Sequence, residues 1–447
     1  MTAGGVQRTV VAAATGIMIL GAAAARADAG PAPDADAPAL AEQRHFSVAP
    51  PWWRRVLAAP EQGLDGLAWP VKRAAFWAED ANLPARVQDA LYFNDERTAG
   101  WFPNFDFGGE ISAGAGLRFF HHDLGPGARV DLSTLLAYRN LEEGAFEEGR
   151  VFASAFVPRV AGGPVDLAAE VFFQADEDED LFVRTLPDGA LRLGTVPRES
   201  EQSTYAFDQV RGLIQADVHP VERLTVGLAF RPLWGDVGQG EGGEPPTPTT
   251  VDGFGGPAVL LGGGPIVEWD GRDAPVRPRA GWYTRAAGGY WDAVEGGAPS
   301  ARPYRYGRYG GEIHRYQPTF RTGRILVLRA ALDRVEPFGD ATVPFWDLPV
   351  LDEDHLLRAF DRNRFRDRGA LAFNVEYRYP IWDTWDGFLF LDEGQVFRNY
   401  SDIAGHRFEW STGAGARFYT AQGFLFRVQL AVGEEDRNFQ IGLQQEF

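Results

Sequence analysis

Phe424-Leu425-Phe426-Arg427-Val428-Gln429-Leu430-Ala431-Val432 alternates with a period of two. Phe424, Phe426, Val428, Leu430 and Val432 fall on one face, Arg427 and Gln429 on the other. Successive side chains of a strand point to opposite sides, so this is a strand with one fatty and one polar surface. The pattern recurs over Val130–Tyr138, where Val130, Leu132, Thr134, Leu136 and Tyr138 oppose Asp131 and Ser133. It recurs again over Leu371–Tyr379, where Asn374, Glu376 and Arg378 share the polar face. At the C-terminus Phe439, Ile441, Leu443 and Phe447 oppose Gln440, Gly442, Gln444 and Glu446. A soluble sandwich needs covering elements for so many apolar faces. A membrane barrel puts them against lipid and keeps the polar faces in its lumen.

Extended over the chain, this reading yields sixteen strands, the first two at 90–102 and 107–120, the fifth at 165–176. An even count returns both termini to the periplasm. The long connections 177–201, 236–257 and 338–368 all fall on one side, as outer loops do. The expected fold is therefore all-β: a 16-stranded antiparallel transmembrane β-barrel spanning 90–447, with a long lumen-inserted loop and a short N-terminal helical lead-in. Acidic stretches at 142–148, 176–180 and 352–354 fall on outer loops and read as solvated surface.

The N-terminus has three parts: a short start ending at Arg8, an apolar stretch from Thr9 to Ala25, and Ala25-Arg26-Ala27 before Asp28. That is a signal peptide over 1–27. Residues 28–89 begin as an Ala/Pro/Asp-rich linker. Leu64, Leu67, Val71, Ala74, Ala75 and Ala78 then offer a short helical stripe, limited by Pro70 and Pro84. The mature chain is expected in the outer membrane, with its N-terminus periplasmic.

Composition supports the class. Of 447 residues, 43 are Lys or Arg and 62 Asp or Glu, a formal charge of −19 that argues against nucleic acid as a partner. There is no cysteine, which excludes a disulfide framework, a thiolate metal site and a lipid-anchored cysteine. Mean hydropathy is −0.24, so a helical bundle is not expected. None of the seven histidines sits in a G-x-S-x-G or H-E-x-x-H setting, and His121-His122 abuts a turn. No catalytic residue, metal site or cofactor is expected.

Three segments carry a resemblance. Phe390-Leu391-Asp392-Glu393-Gly394-Gln395-Val396-Phe397 reads F-x-D-x-G-x-x-F, Leu357-Arg358-Ala359-Phe360 is close to V/I-R-G-F, and Asn374–Ile381 follows as a strand. Arg272, Asp273, Pro278 and Gly281-Trp282 add an RD…P…GW turn, and His122–Gly127 resembles a D-x-x-G-x-G turn. In order and spacing these resemble the BamA/TamA superfamily of outer-membrane assembly and translocation barrels, also called bacterial surface antigens. The match covers most of 107–447. The resemblance implies a loop whose arginine is fixed inside the lumen. Arg358 has five donors in a rigid fork and keeps its charge, so it needs carboxylates. Strand parity makes Glu376 and Asp392 those partners, with Phe360 expected near Phe390. The neighbouring Arg362, Arg364, Arg366 and Arg368 read as ordinary solvated loop arginines.

Two departures stand out: Ala359 and Leu357 replace Gly and Val/Ile. Residues 28–89 also lack a β-α-α-β-β pattern, so the chain resembles the POTRA-lacking branch. Two functions remain open at this stage. One is insertion or translocation of proteins or lipids at the outer membrane through a weak seam between first and last strands. The other is a passive channel or structural barrel with a loop-occluded pore. Expected partners are outer-membrane lipids and lipopolysaccharide, client proteins or lipids, and the barrel-assembly machinery during the chain's own insertion. Phe439, Ile441, Leu443 and Phe447 form the C-terminal signal read by that machinery.

Overall fold

The computed structural model describes residues 91–445, apart from 109–110, 126, 139–146, 186–190, 194–200, 241–250, 255, 276, 353–355, 383, 420–423 and 436. The expected signal peptide, the lead-in over 28–89 and Phe447 lie outside the described residues.

Nineteen strands form among the described residues, in chain order. They are β1 (Ala99–Gly108), β2 (Ile111–His121), β3 (Arg129–Tyr138), β4 (Glu148–Val157), β5 (Val165–Thr185), β6 (Leu191–Leu193), β7 (Glu201–Val221), β8 (Leu224–Gln239), β9 (Ala258–Asp270) and β10 (Gly281–Glu295). They continue as β11 (Arg305–Pro318), β12 (Ile325–Pro337), β13 (Val350–Leu351), β14 (Phe365–Arg366), β15 (Gly369–Trp382), β16 (Trp385–Phe397), β17 (Glu409–Tyr419), β18 (Phe424–Gly433) and β19 (Arg437–Gln445). Leaving aside the three short strands β6, β13 and β14, sixteen strands pair with their chain neighbours, all antiparallel, and β1 closes on β19. Closure leaves no open edge, which is what lipid demands of a sheet.

Period two decides what faces out. Val130, Leu132 and Leu136 are exposed, while Asp131, Leu135 and Ala137 between them are buried. Leu117, Phe119, Val171, Phe173, Phe230, Val375 and Leu430 continue the exposed apolar band on other strands. So much contiguous apolar surface is unfavourable in water and suits acyl chains.

The first strand differs from the expectation of 90–102. It starts at Ala99, because Asn94 turns the chain: its side chain accepts from the Thr98 and Ala99 amides, and Phe93 N–H donates to Ala99 O. β2 correspondingly begins at Ile111 rather than 107. β5 runs on past 176, through a register shift at Asp176/Glu179, to Thr185. Charge made 177–185 read as loop, but a strand that projects beyond the membrane carries charge at little cost.

The outer-loop acids are also not all solvated. Glu148, Asp176, Glu179 and Asp352 are buried, because their strands and loop turn these carboxylates toward the lumen.

One consequence can be measured directly. Val171 is half exposed at mid-height of β5, paired with Ala153 and Gly212. Val171→Arg should destabilise the barrel by about 2–4 kcal/mol in lipid vesicles, read by denaturant unfolding. A cost below about 0.5 kcal/mol would mean that this face does not meet acyl chains.

Candidate functional site: a loop clamped inside the barrel

The connection from Phe338 to Arg368 follows β12, and its described residues pack against the inner wall on several sides. Phe345 and Trp346 enter an aromatic cluster with Tyr205, Phe207, Phe254, Trp291 and Tyr306. Phe345 stacks on Phe254 with centroids 5.4 Å apart, and meets Tyr205 edge-on at 5.0 Å. The Asp347 carboxylate accepts from Tyr306 Oη and, at 3.1 Å, from Arg308. Val350 and Leu351 then pair with Arg366 and Phe365, making a minimal hairpin of β13 and β14.

Arg358 lies between these two strands in sequence, at the tip. Its Nε and Nη2 donate to Asp392 Oδ2 and Oδ1 at 3.0 and 2.9 Å, a two-pronged fit of guanidinium to carboxylate. Its Nη1 donates to Glu376 Oε2 at 3.1 Å. The guanidinium carbon rests 3.8 Å from the centroid of the Phe390 ring, so the cation also meets an aromatic face. Asp392 is fully buried. It receives further bonds from Asn374 Nδ2 and Ser411 Oγ, both at 2.9 Å. β15, β16 and β17 thus converge on one carboxylate.

Glu376 is shared. Besides Arg358, it accepts from Arg378 Nε at 2.6 Å and from Arg417 Nη2 at 2.9 Å. Three cations around one buried acid require a tight arrangement, because each uncompensated charge here would be severely penalised. Phe360 is buried in the same apolar cluster as Phe390, together with Leu351, Leu357 and Phe388. The two phenylalanines flank the clamp, with the Arg358 guanidinium over Phe390. Gly394 is where the loop comes closest: a Cβ there would lie 2.9 Å from Leu351 Cδ1 and 3.4 Å from Leu357 Cδ1.

The Ala359 departure has a simple outcome. Positive φ falls on Leu356, at +82°, and not on Ala359, so the position does not require glycine. Asn374 Nδ2 holds the Leu356 carbonyl at 2.9 Å, which steadies that strained residue.

Arg362, Arg364 and Arg366 are not solvated loop arginines; all three are buried. Arg362 reaches Glu148 of β4 at 3.3 Å, and Arg364 grips Glu435 at 2.7 and 2.8 Å. Their spacing of two, within a run that starts four residues after Arg358, was the available signal. Phe345-Trp346 had none beyond its hydrophobicity.

The other sequence-predicted residues lie elsewhere. Arg272 donates to both oxygens of Asp270 at 2.9 and 2.7 Å, and its guanidinium sits 4.7 Å from the Tyr283 ring centroid. Asp273 Oδ1 accepts from the Arg279 and Ala280 amides, Pro278 is buried, and Gly281 takes φ +114°. These four shape the β9–β10 turn, at the opposite end from the clamp. From that turn Arg277 donates across to Asp386 of β16, with Nε 2.7 Å from Oδ2. His122 pairs with Asp131 at 3.2 Å beside the β2–β3 turn. Phe439 is exposed on the outer face and Ile441 half-buried beside Phe426 and Val428; the side chains of Leu443 and Phe447 lie outside the described residues.

Residues 257–447 match the Omp85 superfamily domain. Among solved structures, BamA from Haemophilus ducreyi lacking POTRA domains 1–3 is similar over 77% of this chain and 70% of that one, with a TM-score of 0.52 and 14% identity. CdiB from Acinetobacter baumannii is similar over 77% and 59%, with a TM-score of 0.50 and 12% identity. At such identities the likeness is one of fold. No curated protein matches the sequence. The clamped loop and the last nine barrel strands all fall within the segment that matches the Omp85 superfamily domain.

Proposed function

We propose that this chain is an outer-membrane barrel that inserts or translocates proteins or lipids, and that its moving part is the seam between β1 and β19. The seam carries the reading. Among the described residues β1 and β19 pair only at Asp106–Gly442, Phe107–Ile441 and Gly108–Gln440. On its other edge β19 pairs with β18 from Arg437 to Gln445. Below Gly442, Leu443 to Gln445 remain in strand conformation with no partner on β1. Pro103 has no N–H to offer on that stretch of β1. A seam with three described ladder pairs has less to lose on parting than the neighbouring β18–β19 pair with nine, which gives a substrate strand a place to enter.

The clamp supplies the complementary part. Arg358, Glu376 and Asp392 fix the loop to β15–β17, separated from the seam by β18 and β19, so the wall on that side of an opening seam stays intact and the lumen stays occupied.

The absence of cysteine gives a clean test. Asp106 and Gly442 are directly opposed, and antiparallel partners lie within disulfide range. Asp106→Cys with Gly442→Cys, oxidised, should lock the seam. Depletion of the wild type should lower the abundance of other outer-membrane proteins or surface lipids. The locked variant should fail to restore them until reductant is added. Full rescue by the locked barrel would leave the passive-channel reading in its place.

A second outcome follows from the clamp. Arg358→Ala leaves Asp392 without its bidentate partner and should cost about 3–5 kcal/mol, seen as loss of heat-resistant mobility or a lower unfolding midpoint. Glu376→Gln should cost more than Asp392→Asn, because Glu376 serves three cations. Equal stability of all three variants with the wild type would show that the clamp contributes nothing to the barrel.

A further inference from the structure

Between the inserted loop and the wall from β4 to β12 lies a cavity of about 620 Å³. Its lining holds seven arginines against five acids, in a chain whose formal charge is −19. A local excess of cations against so strong a global trend calls for a reason. The loop accounts for part of it: Arg308 is bound to Asp333 and Asp347, and Arg362 to Glu148.

Three arginines are not accounted for in this way. Arg211 of β7 donates to Gln209 Oε1 at 2.5 Å, and Arg231 of β8 and Arg285 of β10 have no side-chain partner among the described residues. None of the three has an ion pair there. The charges that act most strongly on Arg231 are Arg285 and Arg308, followed by Glu170 and Asp333. The charged and phenolic groups acting on Arg211 are those of Asp347, Arg308, Tyr306 and Arg366, which line the cavity or border it. Asp333 and Asp347 already serve Arg308, and Glu170 closes no ion pair with any of the three. Arg211 is exposed into the cavity and Arg231 and Arg285 are partly so; apart from the Arg211 Nε–H held by Gln209, their donors can meet a solute.

The rest of the wall is flat and aromatic. The Trp291 indole lies over Gly262 and Gly289, where a Cβ would come within 2.3 and 2.8 Å of its ring, and stacks parallel to Tyr306 at 6.0 Å. Trp346, from the inserted loop, lines the same space.

We infer that this cavity is an oxyanion-binding site for phosphate or a phosphate ester, held by Arg211, Arg231 and Arg285 beside the Trp291 face. Guanidinium forks match phosphate oxygens in paired fashion, and three of them around one chamber answer a group of high negative charge. The chamber exceeds the size of a bare phosphate. An ester whose body is a sugar would place that body on the indole, where a flat apolar ring face fits. This site is independent of the seam: it can bind whether or not β1 and β19 part.

The test uses the full chain in detergent micelles, titrated calorimetrically with inorganic phosphate, glucose 6-phosphate and glucose. Both phosphate ligands should bind and glucose should not. Tighter binding of glucose 6-phosphate would assign the site to an ester, and equal or tighter binding of phosphate would assign it to the free ion. Arg231→Gln with Arg285→Gln should weaken binding about tenfold or more, as loss of charge-assisted bonds predicts. Heat-resistant mobility reports whether that variant folds. Arg211→Gln, a single change at the exposed arginine, provides a second measurement with an expected loss of about threefold or more. Absence of phosphate binding, binding unchanged in both variants, or glucose binding as well as glucose 6-phosphate would each overturn the assignment.

Discussion

A stretch of irregular chain inside a barrel can persist only if its polar groups find partners on the wall, and the Arg358 guanidinium is the group on which that condition bears hardest. It cannot lose its charge, and it sits where water is scarce. Asp392 and Glu376 answer it from adjacent strands, and Phe390 closes the remaining face. The arrangement works in both directions. Asp392 is fully buried and would be intolerable without Arg358, Asn374 and Ser411; Arg358 would be equally so without Asp392. Loop and wall therefore depend on each other. The apolar contacts of Leu351, Leu357 and Phe360 then add area to a position that electrostatics has already set.

The rest of the loop extends this logic around the lumen. Arg362 reaches β4, Arg364 reaches the β18–β19 connection, and Asp347 is held by Tyr306 and Arg308 on β11. Anchors that widely separated around the wall do more than fill a pore. They tie distant strands through one segment, so the loop acts as an internal brace. Between its anchors on β4 and β11 the brace stands off the wall and leaves the cavity.

How much of this was legible follows from which signals are local. Strand parity is local, so it assigned Glu376 and Asp392 to the lumen and Leu430 and Phe439 to the outside. The Leu357–Phe360 and Phe390–Phe397 motifs, read with that parity, identified the clamp residues before any geometry. The start of β1 was not legible, because Asn94 and its bonds to Thr98 and Ala99 shift the strand within a stretch that alternates weakly. The burial of Glu148 and Glu179 was not legible either. A carboxylate on an outer connection looks the same in sequence whether it meets water or Arg362 and Asn363. Phe345 and Trp346 carry no period at all, and their place depends on Tyr205 and Phe254, far away in the chain.

The barrel is thus uneven by construction. Its β15–β17 sector is sewn together by ladder bonds along whole strands and by a buried network centred on two acids. Its β1–β19 contact is smaller: among the described residues it has three ladder pairs, with glycines at Gly108 and Gly442. Cross-strand side chains are the unit of sheet stability, and glycine contributes none. Under any disturbance, thermal or imposed by an incoming strand, separation begins where the least is lost. A uniform barrel would open nowhere in particular. On the proposed reading the clamp matters to the seam even though it lies on other strands, because by stiffening β15–β17 it would confine an opening to the β1–β19 contact.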